Sequence, residues 1–469
     1  MIVIMDKKLK TGISRRQFFQ TTSKSVFVAS VVMGFPTIVP ARVFGPNAPS
    51  NRINIGAIGT GRISRDHDMP GVWKHAHAMI IGVCDVDSKR VSEAKVLVND
   101  FYSKKFGKPY NGVTTYDDYH KLLLNKDIDA VLVSTPDHWH SIIAIDAVKA
   151  KKDVYLQKPA SLTISEGRAL SNAVTNSKQI FQIGSQQRSS HQFRYAAELV
   201  RNGRIGDLKT VYVGLPGDPS GEEEPEMPVP ANLNYDMWLG PTPAVYYTEK
   251  RVHPQIGYDR PGWLRCEQFG AGMITGWGSH HIDSAHWAMN TELTGPVEVW
   301  GKAAFPTSGL WDVHGIFKTE ALYENGVRMV VSNELPNGIR FEGSKGWLFV
   351  TRGNYQATAS DPVPNADGVK PLDASDPSII KSEIGPAEIH LTESTDHHGN
   401  WLASIKSRKP PIAPVEVAHR SCSTCLLHHI AMKLDRKVYW DPVKEVFKND
   451  DEANAMLSRP QRQPYVAKK

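Results

Sequence analysis

Apolar runs of strand length alternate with polar-faced stretches along the first part of the chain, and that alternation sets the fold expectation. "INIGAIG" (53–59), "AMIIGVCDVD" (78–87), "DAVLVSTP" (129–136), "DVYLQKP" (153–159) and "QIFQIGSQQR" (179–188) read as buried strands. Between them "YDDYHKLLLNKDI" and "SIIAIDAVKAKK" read as helices, and Thr163 with Glu166 forms a capping box ahead of "GRALSNAV". Strands alternating with helices predict a parallel sheet, whose ligands bind beyond the carboxyl ends of the strands. Further on the pattern changes. "VEVWGKAAF", "IFKTEALYE", "RMVVSNEL" and "GWLFVTR" are strands bounded by Gly, Pro and Asn, which suits a sheet with one wet face. The stretches 217–232 and 353–378 read as loops, and the acid run 222–224 as a solvated part of the first.

Composition changes this picture at one end only. The 469 residues are 41% hydrophobic and 22% charged, which is ordinary for a globular chain, with a net charge of +6. Residues 1–42 hold seven Lys/Arg and one acid, so the excess charge lies in the leader and nucleic-acid binding has no compositional support. "SRRQFF" (14–19) places Arg15 and Arg16 ahead of the apolar run at 26–39, the pattern of a twin-arginine export signal. The expectation is export to the periplasm by the Tat machinery, a route that carries folded proteins. The chain contains four cysteines. Cys422 and Cys425 form a C-x-x-C inside a helical, apolar-striped stretch, with no second pair to complete a zinc site, and read as small core residues; a disulfide is the alternative in an oxidising compartment.

Candidate chemistry begins after the first strand. Gly59-x-Gly61-x-x-Ser64 supplies a tight bend, a close backbone approach and a small third residue, as a turn holding a pyrophosphate requires. Asp85 ends the second strand, 24 residues after Gly61, where a carboxylate accepts from ribose hydroxyls and repels a 2′-phosphate. That argues for NAD over NADP, with Asp87 as a rival for the role. Lys158, at the end of the fourth strand and stopped by Pro159, lies at the same sheet edge as Gly61, Asp85 and Pro136.

The glycine turn, Asp85, the "TPDHWH" loop and the "QKP" tripeptide together resemble the Gfo/Idh/MocA oxidoreductases, from residue 52 to 465. The family's tripeptide is Glu-Lys-Pro, so Gln157 replaces an acid. "GAGMITGWGSHHIDSAHWAM" (270–289) is similar to the family's stretch ending in Gly-x-His-x-x-Asp, filled here by Gly278, His280 and Asp283, with Gly276 where an acid often stands. The resemblance implies an α/β fold: an N-terminal Rossmann dinucleotide-binding domain (46–184) after the signal (1–45). A C-terminal α+β domain (185–469) with an open, mostly antiparallel sheet follows it, and homo-oligomerisation through that sheet is a family-level expectation.

On this footing Lys158 is the positive donor to a forming alkoxide, His280 the base and Asp283 its orienting partner one helical turn on. NAD is assigned to Gly59, Gly61, Arg62, Ser64, Asp85, Thr135, Asp137, Trp139, His140, Gln157, Lys158 and Gln186 (or Gln187). Trp263, Arg265 and His281 are assigned to substrate, with Tyr258 a weaker candidate. His280, Asp283 and His286 spread too far round a helix to hold a metal well, so none is expected. The expected activity is NAD-dependent oxidation of a sugar, glycoside or polyol hydroxyl, with the glycoside 3-position as a specific guess. A redox-neutral glycosidase or lyase of the same fold, and a nucleotide-holding sugar-binding protein, are the alternatives.

Overall fold

The alternation in the first part of the chain resolves into one parallel sheet. The computed structural model describes residues 52–353 and 369–466, so the export signal and most of the 353–378 loop lie outside the described residues. The strands are β1 (Ile53–Ile58), β2 (Ala78–Cys84), β3 (Thr114–Tyr116), β4 (Ala130–Val133), β5 (Asp153–Leu156) and β6 (Phe181–Ile183). Their order is β3-β2-β1-β4-β5-β6, with every pairing parallel. The order reverses between β1 and β4, which opens a crevice at the carboxyl ends. β4 and β5 are buried at every position, which explains why both read as continuous apolar runs. β3 escapes such a reading because "TTY" is short, polar and half-exposed.

Local rules place the helices. Asp87 caps α1 (Ser88–Phe106) by accepting from the Lys89 and Arg90 amides, and Gly107 ends that helix at φ +66°. The "TPDHWH" stretch is not a loop: α2 (Asp137–Lys149) starts at Asp137, with extended Pro136 as its cap. Thr163 Oγ1 accepts from Glu166 N at 3.3 Å at the start of α3 (Ile164–Asn176), one half of the capping box read from the sequence, while the Glu166 carboxylate accepts from Leu162 N, one residue before the cap, at 3.2 Å. The run 179–188 is strand only in its middle, since Gln186–Ser189 form a 3-10 turn ahead of α4 (His191–Arg201).

The later strands are β7 (Leu208–Gly214), β8 (Glu298–Ala303), β9 (Phe317–Leu322), β10 (Arg328–Ser332), β11 (Gly338–Gly343), β12 (Gly346–Val350), β13 (Leu372–Ala374), β14 (Val438–Asp441) and β15 (Val446–Phe447). They form a second sheet in the order β13-β12-β11-β7-β10-β9-β8-β14-β15, antiparallel except for β7 against β10. β9 alternates: Phe317, Thr319 and Ala321 are buried while Lys318 is exposed. The covered face takes α5 (Gly278–Met289) and α7 (Val415–Leu434); α6 (His397–Ser407) lies against the first sheet's side of the molecule. α7 also packs on α3, so one hydrophobic core runs from Val131 and Leu156 through Leu170 and Leu427 to Val331. Cys422 and Cys425 are buried in α7, and all four cysteines are unbridged. No helix among the described residues is long and apolar enough to cross a membrane.

Candidate active site

The turn after β1 is built from two glycines with different duties. Gly59 takes φ +81°, and a Cβ there would stand 2.6 Å from the Ser134 carbonyl oxygen. At Gly61 nothing lies within 4 Å of an added Cβ, because the backbone faces an open cleft. Thr60, between them, donates from N and Oγ1 to Asp85 Oδ2 at 2.7 and 2.9 Å, and Asp87 N donates to Oδ1 at 3.1 Å. Asp85 is thereby held on the cleft wall beside Gly61 and Arg62. Asp87 is spent elsewhere, on the α1 cap and on Asn232 and His253 at 2.8 and 3.0 Å. Burial would raise its carboxyl, but those bonds outweigh burial and hold it at about 2. Thr60 was not singled out from the sequence, although a hydroxyl inside a glycine turn was the available signal. Ser64 is buried at the start of a π-helical turn (Ser64–Asp68) and packs behind the cleft instead of lining it.

The carboxyl ends of β4 and β5 form the floor. Thr135, Asp137, Trp139, His140, Gln157 and Lys158 all line the cleft. Lys158 Nζ donates to the Gly276 carbonyl oxygen at 2.9 Å, so the position where an acid was missing offers a carbonyl dipole to the ammonium. Asp137 is buried behind this lysine; burial pushes its carboxyl up and the Lys158 charge pulls it back. The His140 ring spans the two strand ends, with Nδ1 2.6 Å from the Pro159 oxygen and Nε2 2.8 Å from the Thr135 oxygen, and burial lowers its pKa to about 4. Trp139 Nε1 donates to the Trp238 carbonyl at 3.2 Å, and Gly240 leaves room for the indole. Gln157 Nε2 donates to Asp68 Oδ1 at 2.7 Å.

The outer wall comes from residues 253–264, of which His253, Asp259, Arg260, Pro261, Trp263 and Leu264 line the cleft. This strap is pinned to α1: Lys89 Nζ donates to the Gln255 oxygen at 2.7 Å and Arg90 Nη2 to the Pro254 oxygen at 2.8 Å. Tyr258 is clasped between the Arg65 and Arg90 guanidinium groups at 4.1 and 4.5 Å and donates to Glu93. It acts as a fastener for the strap, outside the cleft lining. No sequence pattern announced the strap, since its anchors lie more than 160 positions away in the chain.

Besides Ser64, five assigned residues sit apart from the cleft lining. Asp283 does not orient His280: its two oxygens take Arg188 Nε and Nη2 at 2.6 and 3.0 Å, in full burial. His280 is completely buried, and burial together with the Arg352 and Lys158 charges drives its pKa well below the ordinary value, so it is neutral and not poised near pH 7. His281 faces Asn337 Oδ1 at 2.9 Å. Arg265 stacks on Trp311 at 4.4 Å, and Gln186 Nε2 donates to the Tyr155 hydroxyl at 3.2 Å. In each case the residue's own helix or turn was legible, but not the partner that claims the side chain. His286 pairs with the Tyr323 hydroxyl at 2.7 Å.

An open glycine turn, a carboxylate held at the end of β2 and a lysine at the end of β5 define a dinucleotide-dependent oxidoreductase site. The chain belongs to the Gfo/Idh/MocA oxidoreductase family: residues 53–185 match its NAD-binding Rossmann fold, and 217–364 with 380–467 match its C-terminal alpha/beta domain. It is similar to the uncharacterized oxidoreductase YrbE of Bacillus subtilis, at 23% identity over 67% of this chain and 76% of that one. It is also similar to the inositol 2-dehydrogenase of Azotobacter vinelandii, at 29% identity over 33% of this chain, and that match spans 43% of the dehydrogenase's length. Among solved structures, the WlbA dehydrogenase from Bordetella pertussis in complex with NADH and UDP-GlcNAcA shares the fold, with a TM-score of 0.58 at 14% identity over 83% of this chain and 99% of that one. The protein is thus an NAD-binding oxidoreductase, and Gly61, with open space before it, and Asp85, with its carboxylate on the cleft wall, are the residues that would hold the diphosphate and ribose of the cofactor.

Proposed function

We propose that the protein is an exported enzyme that oxidises a hydroxyl of a sugar, glycoside or polyol, with the 3-position of a glycoside as the specific candidate. The observation that carries the reading is the Lys158 ammonium, 2.9 Å from Gly276 O and in the same cleft as Gly61 and Asp85. NAD, when bound, accepts the hydride from the carbinol carbon. Lys158 hydrogen-bonds the substrate oxygen and stabilises the negative charge that develops there, while the hydroxyl proton passes to the carboxylate of buried Asp137, whose pKa burial raises. Trp263 offers an apolar face to a sugar ring. Sugar-type substrates are consistent with the relatives named for inositol and with the neighbour holding UDP-GlcNAcA. Arg15 and Arg16 support export. A second copy of the chain on the open sheet face is part of the same proposal: Arg340 and Trp347 stack there at 4.5 Å, beside Tyr212 and Phe349.

The strap favours a second reading in one respect. A nucleotide held under it suits a cycle in which the hydride taken from the sugar is returned before release, so that a glycosidic bond is cleaved without net oxidation. One experiment separates the two. Nucleotide released from denatured protein is identified, and the NAD-loaded enzyme is offered a panel of glycosides and inositols. NADH with a keto-sugar supports oxidation; free sugar without NADH supports the redox-neutral cycle. Lys158→Met should cut turnover by about 10²–10⁴-fold while retaining the nucleotide. Release of NADP, or full activity in Lys158→Met, would overturn the reading.

A further inference from the structure

We propose that His67, Asp68 and His398 form a binding site for a divalent transition-metal ion, with zinc the first choice, distinct from the cleft. One ligand atom from each lies within 4.8 Å of the other two. Asp68 Oδ1 is 3.2 Å from His67 Nδ1 and 3.2 Å from His398 Nε2. Zinc takes nitrogen and carboxylate ligands at about 2.0–2.1 Å, and two such ligands at the tetrahedral angle stand about 3.3–3.4 Å apart. Hydrogen bonds between a ring N–H and a carboxylate are shorter, about 2.7–2.9 Å when charge-assisted. The observed 3.2 Å stands at the long end of the hydrogen-bond range and just short of the separation of two ligands round an ion. Two imidazoles and one carboxylate are also a donor set that zinc and its divalent neighbours accept.

The surroundings hold these atoms in place, as the outer partners of a metal site do. Asp68 Oδ2 accepts from Ser134 Oγ at 2.6 Å, and Oδ1 accepts from Gln157 Nε2 at 2.7 Å. The His398 ring stacks on Tyr155 at 4.4 Å and 24°. A Cβ at Gly71 would stand 2.3 Å from His398 Nδ1, so a glycine is what lets the ring reach Asp68. His67 and Asp68 close a π-helical turn, a conformation that is rare and concentrates at functional sites. The side chains of Asp68 and His398 are 0% and 4% exposed, but that of His67 is 18% exposed, so the His67 edge gives an ion an entry path and room for water as a fourth ligand. The ion would brace the turn after β1 against α6. Through Ser134 and Gln157 it would also steady the strand ends that carry Thr135 and Lys158.

The test needs no turnover. The full chain is incubated with ZnCl₂, desalted and analysed by elemental mass spectrometry, and with CoCl₂ for the visible bands of tetrahedral cobalt. The expected content is about one zinc per chain, falling below about a tenth in His67→Ala and in His398→Ala. His120→Ala removes an exposed imidazole paired with Asp118 and should bind zinc as wild type does. If His398→Ala does not fold, His67→Ala at the exposed edge decides. Wild type without zinc, zinc retained in His67→Ala, or zinc lost equally in His120→Ala would each overturn the site and leave a hydrogen-bonded network.

Discussion

Two glycines two positions apart separate what the turn needs to fold from what it needs to bind. Gly59 is conformational: φ +81° and the Ser134 carbonyl at 2.6 Å exclude a side chain. Gly61 has open space in front of it. Gly61→Val should therefore leave the melting temperature near wild type and weaken NAD binding at least about tenfold, read by fluorescence titration, because the new methyls occupy the diphosphate's place. Gly59→Ala should instead cost about 1–3 kcal/mol of stability through strained backbone, read by urea unfolding. The placement of Gly59, Gly61, Asp85 and Lys158 at one cleft was legible because it is set by strand ends and spacing within one segment. Asp283 was misjudged because its partner, Arg188, lies 95 positions upstream, and no local pattern announces that distance.

Between elements, the Arg188–Asp283 pair joins the 3-10 turn after β6 to α5, with Glu292 on the remaining guanidinium nitrogen at 2.7 Å. Both charges of the central pair are dry, so breaking it from one side strands the other. Arg188→Met should lower unfolding free energy by about 3–5 kcal/mol, and Arg188→Met with Asp283→Leu should recover much of the loss. If Asp283 instead served catalysis through His280, Asp283→Asn would depress turnover at unchanged stability; parallel kinetics and urea melts distinguish the cases. Strand and helix existence was legible where apolar runs are long, as in β1, β2, β4 and β5. It failed at β3, where the strand has no apolar signature, and at the start of α2, where Asp-His-Trp-His looks like a loop until its amides find helical partners.

Across the whole molecule, the long-range join of α3, α7 and the β14–β15 hairpin rests on Arg168, Glu416, His419, Arg420 and Glu445. Burial raises Glu445, but His419 and Arg168 outweigh it and hold its carboxyl at about 2, below the ordinary 4.5. A folded pKa below the unfolded one adds stability that is fully present above about pH 4.5 and is lost as pH falls toward about 2. Urea unfolding from pH 7 down to pH 3 should show stability dropping in that window, with the drop flattened in Glu445→Gln, which should also be less stable at pH 7. The two-sheet plan was legible from the switch in hydrophobic period. The second sheet's strand order was not, because β7 pairs with β10 and β11 across more than a hundred residues.

The Lys158–Gly276 contact gives the ammonium one foothold on each side of the molecule, since residue 158 follows β5 of the first sheet and residue 276 precedes α5 on the second. A hinge motion that parts the halves would break this bond. If Lys158 acts as proposed, a ligand too bulky to let the halves meet would occupy the crevice and still be inert, an inhibitor that never touches the reacting atoms.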